Sequence, residues 1–208
     1  MPPLDPSLLV GFVATATAIV ISPGPDTLLI LRYTLGSGQR VGFAAVAGVQ
    51  LGLLVHTALA VTGLSVLLLS APTAFKIVAV LGAAYLGWLG VQSLRGAEFV
   101  LGATPRIAAL KATRDALVSN VLNPKVIVLF VALFPNFVDA ARGRVAEQLA
   151  LLALLLIAIN VAWQLPMAWT AETLRHWLLA PRVARAMGRG TGVILIAFAF
   201  ALLYEHFL

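Results

Sequence analysis

Three ionisable side chains lie within or against the apolar runs of this chain. Asp26 follows two prolines in "SPGPDTLLIL" (22–31), Lys125 follows one in "NPKVIVLFVALFP" (123–135), and His56 lies inside "LLVHTAL" (53–59). An ionisable group among apolar residues is costly, and such groups are typically kept for binding charge or moving protons. Asp26 could meet a cation or a proton, and Lys125 could supply positive charge to a pocket or neutralise Asp26. His56 has two readings of equal standing, a hydrogen bond to a neighbouring helix or a proton relay.

The prolines give these charges a setting. Pro23 and Pro25 lack an N–H and clash with the preceding turn, so no helix runs unbroken through "SPGPD". Gly24 lets the backbone take conformations closed to other residues. Asp26 and Thr27 stand where a second half-helix begins, as expected caps on its free amides. In "SNVLNPK", Asn123 is an N-cap candidate, Pro124 fits the first helical position, and Asn120 is three residues back on the same face. Broken helices in lipid are tolerated where the freed backbone faces protein or water. Two half-helix N-termini carry free amides and partial positive charge, so together they are expected to hold a substrate carboxylate.

Other chemistries fit less well. There is no cysteine, which excludes disulfides, thiol nucleophiles and thiolate metal sites. Ser22 and His56 could be cast as a hydrolytic dyad, but no Gly-x-Ser-x-Gly elbow or paired acidic motif accompanies them. An intramembrane enzyme is therefore the weakest alternative, and no catalytic residue is assigned. A metal-ion transporter needs clustered oxygen or imidazole ligands, whereas the three histidines are scattered. No metal site or cofactor is expected.

The elements that carry these residues follow from composition. Of 208 residues, 61% are hydrophobic and 11% charged, against about 25% charged in a soluble domain. Mean hydropathy is +1.01. The expected fold is an all-α, multi-pass membrane protein, one transmembrane domain over 1–208. A span takes about 20 apolar residues, which places six at roughly 7–31, 41–70, 74–94, 115–135, 147–171 and 191–208. The polar stretch 96–114 divides the chain into halves, about 1–95 and 115–208. Three spans per half imply inverted repeats, each with its first helix broken at proline.

Cations sort by loop. Ten (Arg32, Arg40, Arg95, Arg106, Lys111, Arg114, Arg175, Arg182, Arg185, Arg189) flank the connections after spans one, three and five, against three (Lys76, Arg142, Arg144) on the other side. Positive-inside logic puts those loops, including the linker 96–114, in the cytoplasm and both termini in the periplasm. The basic loops are read as topology and lipid-headgroup contacts, with no nucleic-acid partner. "GVQLG" (48–52) and "GAAYLGWLG" (82–90) are close-packing signals, Gln50 an interhelical tie, and Trp163 and Gln164 candidate pocket walls.

These segments together resemble the LysE/RhtB family of amino-acid exporters over nearly the whole chain. "SPGPDTLLILRYTLGSGQRVGF" is similar to the family's N-terminal signature. "GVQLGLLVHTALAVTGLSVLL", "APTAFKIVAVLGAAYLGWLGVQSLRG" and "SNVLNPKVIVLFVALFPNFV" are similar to its second, third and fourth helices. Ala116 stands where the family pattern has Gly, and the stretch "NVAWQLPMAWTAETLRHWL" of the fifth span carries Pro166 and no acid in its first half. The resemblance implies six spans in a bacterial inner membrane and secondary, proton-coupled efflux of amino acids or related metabolites, as an antiporter. The implied partners are an amino-acid-like substrate, protons and lipid, with a homo-oligomer left open. The implied substrate- and proton-binding residues are Pro23, Gly24, Pro25, Asp26, Thr27, His56, Asn120, Asn123, Pro124 and Lys125.

Overall fold

A computed structural model describes residues 4–21, 24–64, 72–95, 106–171, 173 and 180–207. Its described residues are mostly helical, with no strand among them. The helices are α1 (Pro6–Ile21), α2 (Pro25–Ser37), α3 (Gln39–Leu59), α4 (Pro72–Leu94), α5 (Ala109–Val121), α6 (Pro124–Val128), α7 (Val145–Thr170) and α8 (Pro181–Phe207). A π-turn, Ala60–Leu64, extends α3. A second π-turn, Leu129–Leu133, followed by a 3₁₀ turn, Phe134–Phe137, extends α6.

Both expected breaks are present as bends. The axes of α1 and α2 meet at 49°, and those of α5 and the α6 continuation also at 49°. Each second half-helix starts on a proline at its first position, Pro25 or Pro124. That position has no intrahelical use for an N–H, so the missing donor costs nothing there. Pro23, between α1 and α2, lies outside the described residues.

Six spans are not all met by length and composition among the described residues. Gln39–Leu64 and Val145–Thr170 pass singly, and the two bent pairs pass when each is taken as one span, giving up to four. α4 and α8 contribute shorter apolar stretches, Val80–Leu94 and Gly188–Ala197. The expected second span reaches residue 70, but 65–70 lie outside the described residues, as do 96–105 of the linker.

Three apolar clusters hold the helices. One joins α1, the α6 continuation and α7 through Phe12, Phe130, Phe134, Leu149 and Leu152. A second joins α2, α3 and α5. The third joins α4 to α8 through Ala83, Leu86, Leu195 and Ala199. Small residues set the close contacts. A Cβ on Gly48 would fall 2.2 Å from the Thr113 carbonyl oxygen, and one on Gly90 would fall 2.8 Å from that of Gly192. Both sequence stretches expected to pack closely do so, because only a hydrogen on the α-carbon leaves room for the facing backbone. Ala116 is fully buried against Gly48, so here the glycine stands on the opposite helix.

On the side where the chain begins, Arg142 donates to Asp5 at 2.5 Å and to Asp139 at 2.9 Å. Gln148, fully buried, donates to the carbonyls of Asp139 and Gly143 and accepts from the Asp139 amide. This clasp ties the start of α1 to the turn before α7. At the opposite end Asp115 of α5 accepts from Tyr33 of α2 at 2.7 Å and from Lys111 at 2.9 Å.

Candidate functional site

The two breaks lie side by side and share one cleft. Its walls include Gly24, Asp26 and Thr27 of the first break, Asn123 and Lys125 of the second, and Asn160 and Gln164 of α7. Apolar side chains such as Leu53, Leu129 and Leu156 complete it.

Asp26 does not cap its own helix. Gly24 is the N-cap of α2, in extended conformation and with no side-chain cap. Asp26 instead turns toward the second break. Its Oδ2 accepts from Asn120 Nδ2 at 2.8 Å and from Asn123 Nδ2 at 3.3 Å. Its position in the first turn of α2 also places negative charge at the positive end of that helix. The other carboxylate oxygen, Oδ1, is buried and has no partner among the described residues.

Asn123 serves both breaks, since its Oδ1 caps the Lys125 amide at 3.0 Å. This corrects the expected carboxylate site at two helix ends. At the start of α6, Pro124 has no N–H, Lys125 N is taken by Asn123 Oδ1, and Val126 N is taken by the Asn123 carbonyl at 3.0 Å. α6 therefore has no spare donor in its first turn. The uncapped end of α2 is the one with its first amides free of a side-chain cap.

Lys125 Nζ reaches across to the Ile19 carbonyl at 3.0 Å. Ile19 is in the last turn of α1, where carbonyls lack intrahelical donors and a cation is favoured. A Cβ on Gly24 would lie 3.6 Å from this Nζ, so the ammonium group sits directly against the break. His56, buried, does not line the cleft. Its Nε2 lies 3.3 Å from the Asn120 carbonyl oxygen, and its ring stacks on Phe130 with centroids 5.4 Å apart. Gln50 donates to Gln164 Oε1 at 2.9 Å, an interhelical tie as the sequence suggested.

The structure thus brings Gly24, Asp26, Thr27, Asn123 and Lys125 to one cleft, with Asn120 and His56 behind it. Pro25 and Pro124 are exposed and shape the breaks without lining the cleft. Sequence reasoning did not single out Asn160. The available signal was an asparagine closing "LLALLLIAIN", four residues before Gln164 and so on the same helical face. Among the described residues no three His, Cys, Asp or Glu side chains lie together as a metal site.

Comparison with known proteins adds an identity to this geometry. The model of the LysE type translocator family matches residues 17–206. The leucine efflux protein of Enterobacter sp. (strain 638) is 31% identical over 202 residues, covering 94% of each chain. The homoserine/homoserine lactone efflux protein of Salmonella typhimurium is 31% identical over 186 residues, covering 88% of this chain and 89% of its own. An uncharacterized membrane protein of Bacillus subtilis (strain 168), YrhP, is 29% identical over 201 residues, covering 91% and 95%. No solved structure matches the chain.

Proposed function

The chain belongs to the LysE type translocator family, whose members are efflux transporters rather than enzymes, and on that footing we propose that it is a secondary exporter of amino acids or closely related solutes. The observation that carries this reading is Asp26, a carboxylate at a helix break with one oxygen fixed by two asparagines and the other buried and unpartnered in a cleft. A fixed carboxylate with one free oxygen suits a solute's ammonium group or a proton, each of which supplies the missing donor. Leucine, homoserine and homoserine lactone, the solutes in the relatives' names, share an amino group, whereas the lactone has no free carboxylate. The amino group is accordingly the primary handle. Where a carboxylate is present it lies against the uncapped amides of α2, beside Gly24 and Lys125.

Coupling in this reading is proton antiport. Asp26 exchanges a proton for the ammonium group, because two positive ligands compete for one oxygen. No nucleotide-binding motif stands in the sequence, so the energy comes from a gradient or a partner, and this reading takes the gradient. Two prolyl breaks with equal bends, about 100 residues apart, support six spans arranged as inverted repeats. The ten-to-three cation split supports an inner-membrane orientation with both termini periplasmic.

The test is flux from proteoliposomes loaded with L-leucine, L-homoserine or homoserine lactone, with and without an imposed pH gradient. Wild-type protein should move at least one of the three faster when driven by protons. Asp26→Asn keeps the shape and both asparagine neighbours, so it should abolish pH-driven uphill flux while leaving thermal stability close to wild type. Full uphill flux in Asp26→Asn would remove Asp26 from the mechanism.

A further inference from the structure

The cleft has an imbalance that Asp26 alone does not explain. On α7, Asn160 Oδ1 is a second buried acceptor without a partner, and Asn160 lines the same cleft. The asparagine of the second break is satisfied on both sides of its amide, as donor to Asp26 and acceptor from Lys125 N. Among the described residues that line the cleft, the unmet capacity is thus two acceptors, one on α2 and one on α7. Gln50 Oε1, Asn120 Oδ1 and Trp163 Nε1 are also buried without a partner but do not line it. A buried acceptor left unpaired costs free energy that a ligand with N–H groups recovers. A carboxylate there would set oxygen against oxygen.

We infer that Asn160 is a specificity-determining residue: its side-chain oxygen and Asp26 Oδ1 together form a cradle for a solute's protonated amine. An ammonium group carries three donors on one atom and can give one to each wall. A hydroxyl has a single hydrogen and no charge, so it satisfies one acceptor at most. The cradle therefore discriminates an amino acid from the hydroxy acid of the same shape. Its recognition is also independent of the solute's side chain. This rests on the exporter reading above and adds to it the residue that selects the amine.

The experiment measures how well 2-hydroxyisocaproate and unlabelled L-leucine each inhibit flux of labelled L-leucine in proteoliposomes, and takes the ratio of the two half-inhibitory concentrations. In wild type the hydroxy acid should be the far weaker inhibitor. Asn160→Leu removes the acceptor, and the ratio should fall about tenfold to a hundredfold, the worth of a hydrogen bond to a charged group. A merely structural defect would lower flux but leave the ratio where it was. Asn160→Asp offers acceptors only, so its ratio should match or exceed that of wild type. It also keeps the test open if the leucine variant does not fold. A wild-type ratio in Asn160→Leu, or a collapsed ratio in Asn160→Asp, overturns the cradle. Wild-type protein that moves none of leucine, homoserine or homoserine lactone overturns the exporter reading itself, and the cradle with it.

Discussion

Gly52 offers the sharpest perturbation of the site from outside it. It lies on α3, four residues after Gly48 and on the same face, against α5. A Cβ added at Gly52 would fall 2.4 Å from Asn120 Oδ1 and 2.8 Å from both Asn120 Cβ and Cγ. Real Cβ contacts essentially never fall below 3.0 Å, so Gly52→Ala must displace the Asn120 side chain by about 0.6 Å or move the helices apart. Asn120 is 1% exposed, and its Nδ2 holds Asp26 at 2.8 Å. The same shift along that bond would stretch it to about 3.4 Å, beyond the usual range for N–H···O. Overpacking of this kind costs about 1–3 kcal/mol, and it falls on the group that positions the Asp26 carboxylate.

Two other glycines make this interpretable. Gly48→Ala would set a Cβ 2.2 Å from a backbone oxygen, Thr113 O, so it should damage the α3–α5 contact more while touching no ligand of Asp26. At Gly63 a Cβ would meet nothing within 4 Å, so Gly63→Ala should be neutral. The assay is proton-driven flux per mole of folded protein, read beside the thermal midpoint in detergent. Gly52→Ala should lose about tenfold or more in flux with a modest fall in midpoint. Gly48→Ala should lose mostly midpoint. Normal flux in Gly52→Ala, with the midpoint lowered, would show that transport does not depend on the placement of Asn120 and would refute the link from Asn120 to Asp26.

Two further outcomes follow from charge. The chain has no cysteine, so single cysteines at positions 3 and 111 report topology directly. Position 3 should label with an impermeant reagent from outside intact cells and position 111 only after permeabilisation, and the reverse pattern would invert the orientation. The Asp5 carboxyl is held below its usual range, chiefly by the Ser7 hydroxyl and amide, with Arg142 adding to this. A lowered carboxyl pKa stabilises above the unfolded value of about 3.9 and loses that contribution as pH falls through the lowered value. Asp5→Asn keeps a side-chain oxygen for the Ser7 amide but not the charge facing Arg142, so its thermal midpoint should lie slightly below wild type at neutral pH. The gap should close in strong acid, and a gap that widened there would contradict the clasp.

What was legible in the sequence was what covalent chemistry fixes locally. Pro25 and Pro124 lack an N–H wherever they stand, so the two breaks could be placed to within a residue or two, and the glycines of α3 and α4 announced close contacts. What was not legible was which faces would meet. Asp26 looked like a cap for α2 because a carboxylate beside free amides is the local solution. The fold offers it Asn120 and Asn123 instead, 94 and 97 residues away. Likewise the start of α6 looked like an anion site until Asn123 consumed its one spare amide. The two breaks in effect complete each other. Lys125 of the second break satisfies a carbonyl at the end of α1, and Asp26 of the first satisfies the amides of Asn120 and Asn123. Neither is a self-sufficient helix terminus, so under the exporter reading proposed above a solute or proton engaging Asp26 would act on bonds belonging to both halves of the chain. That shared bonding is a physical means by which occupancy of the cleft would bias the relative positions of α1–α2 and α5–α6.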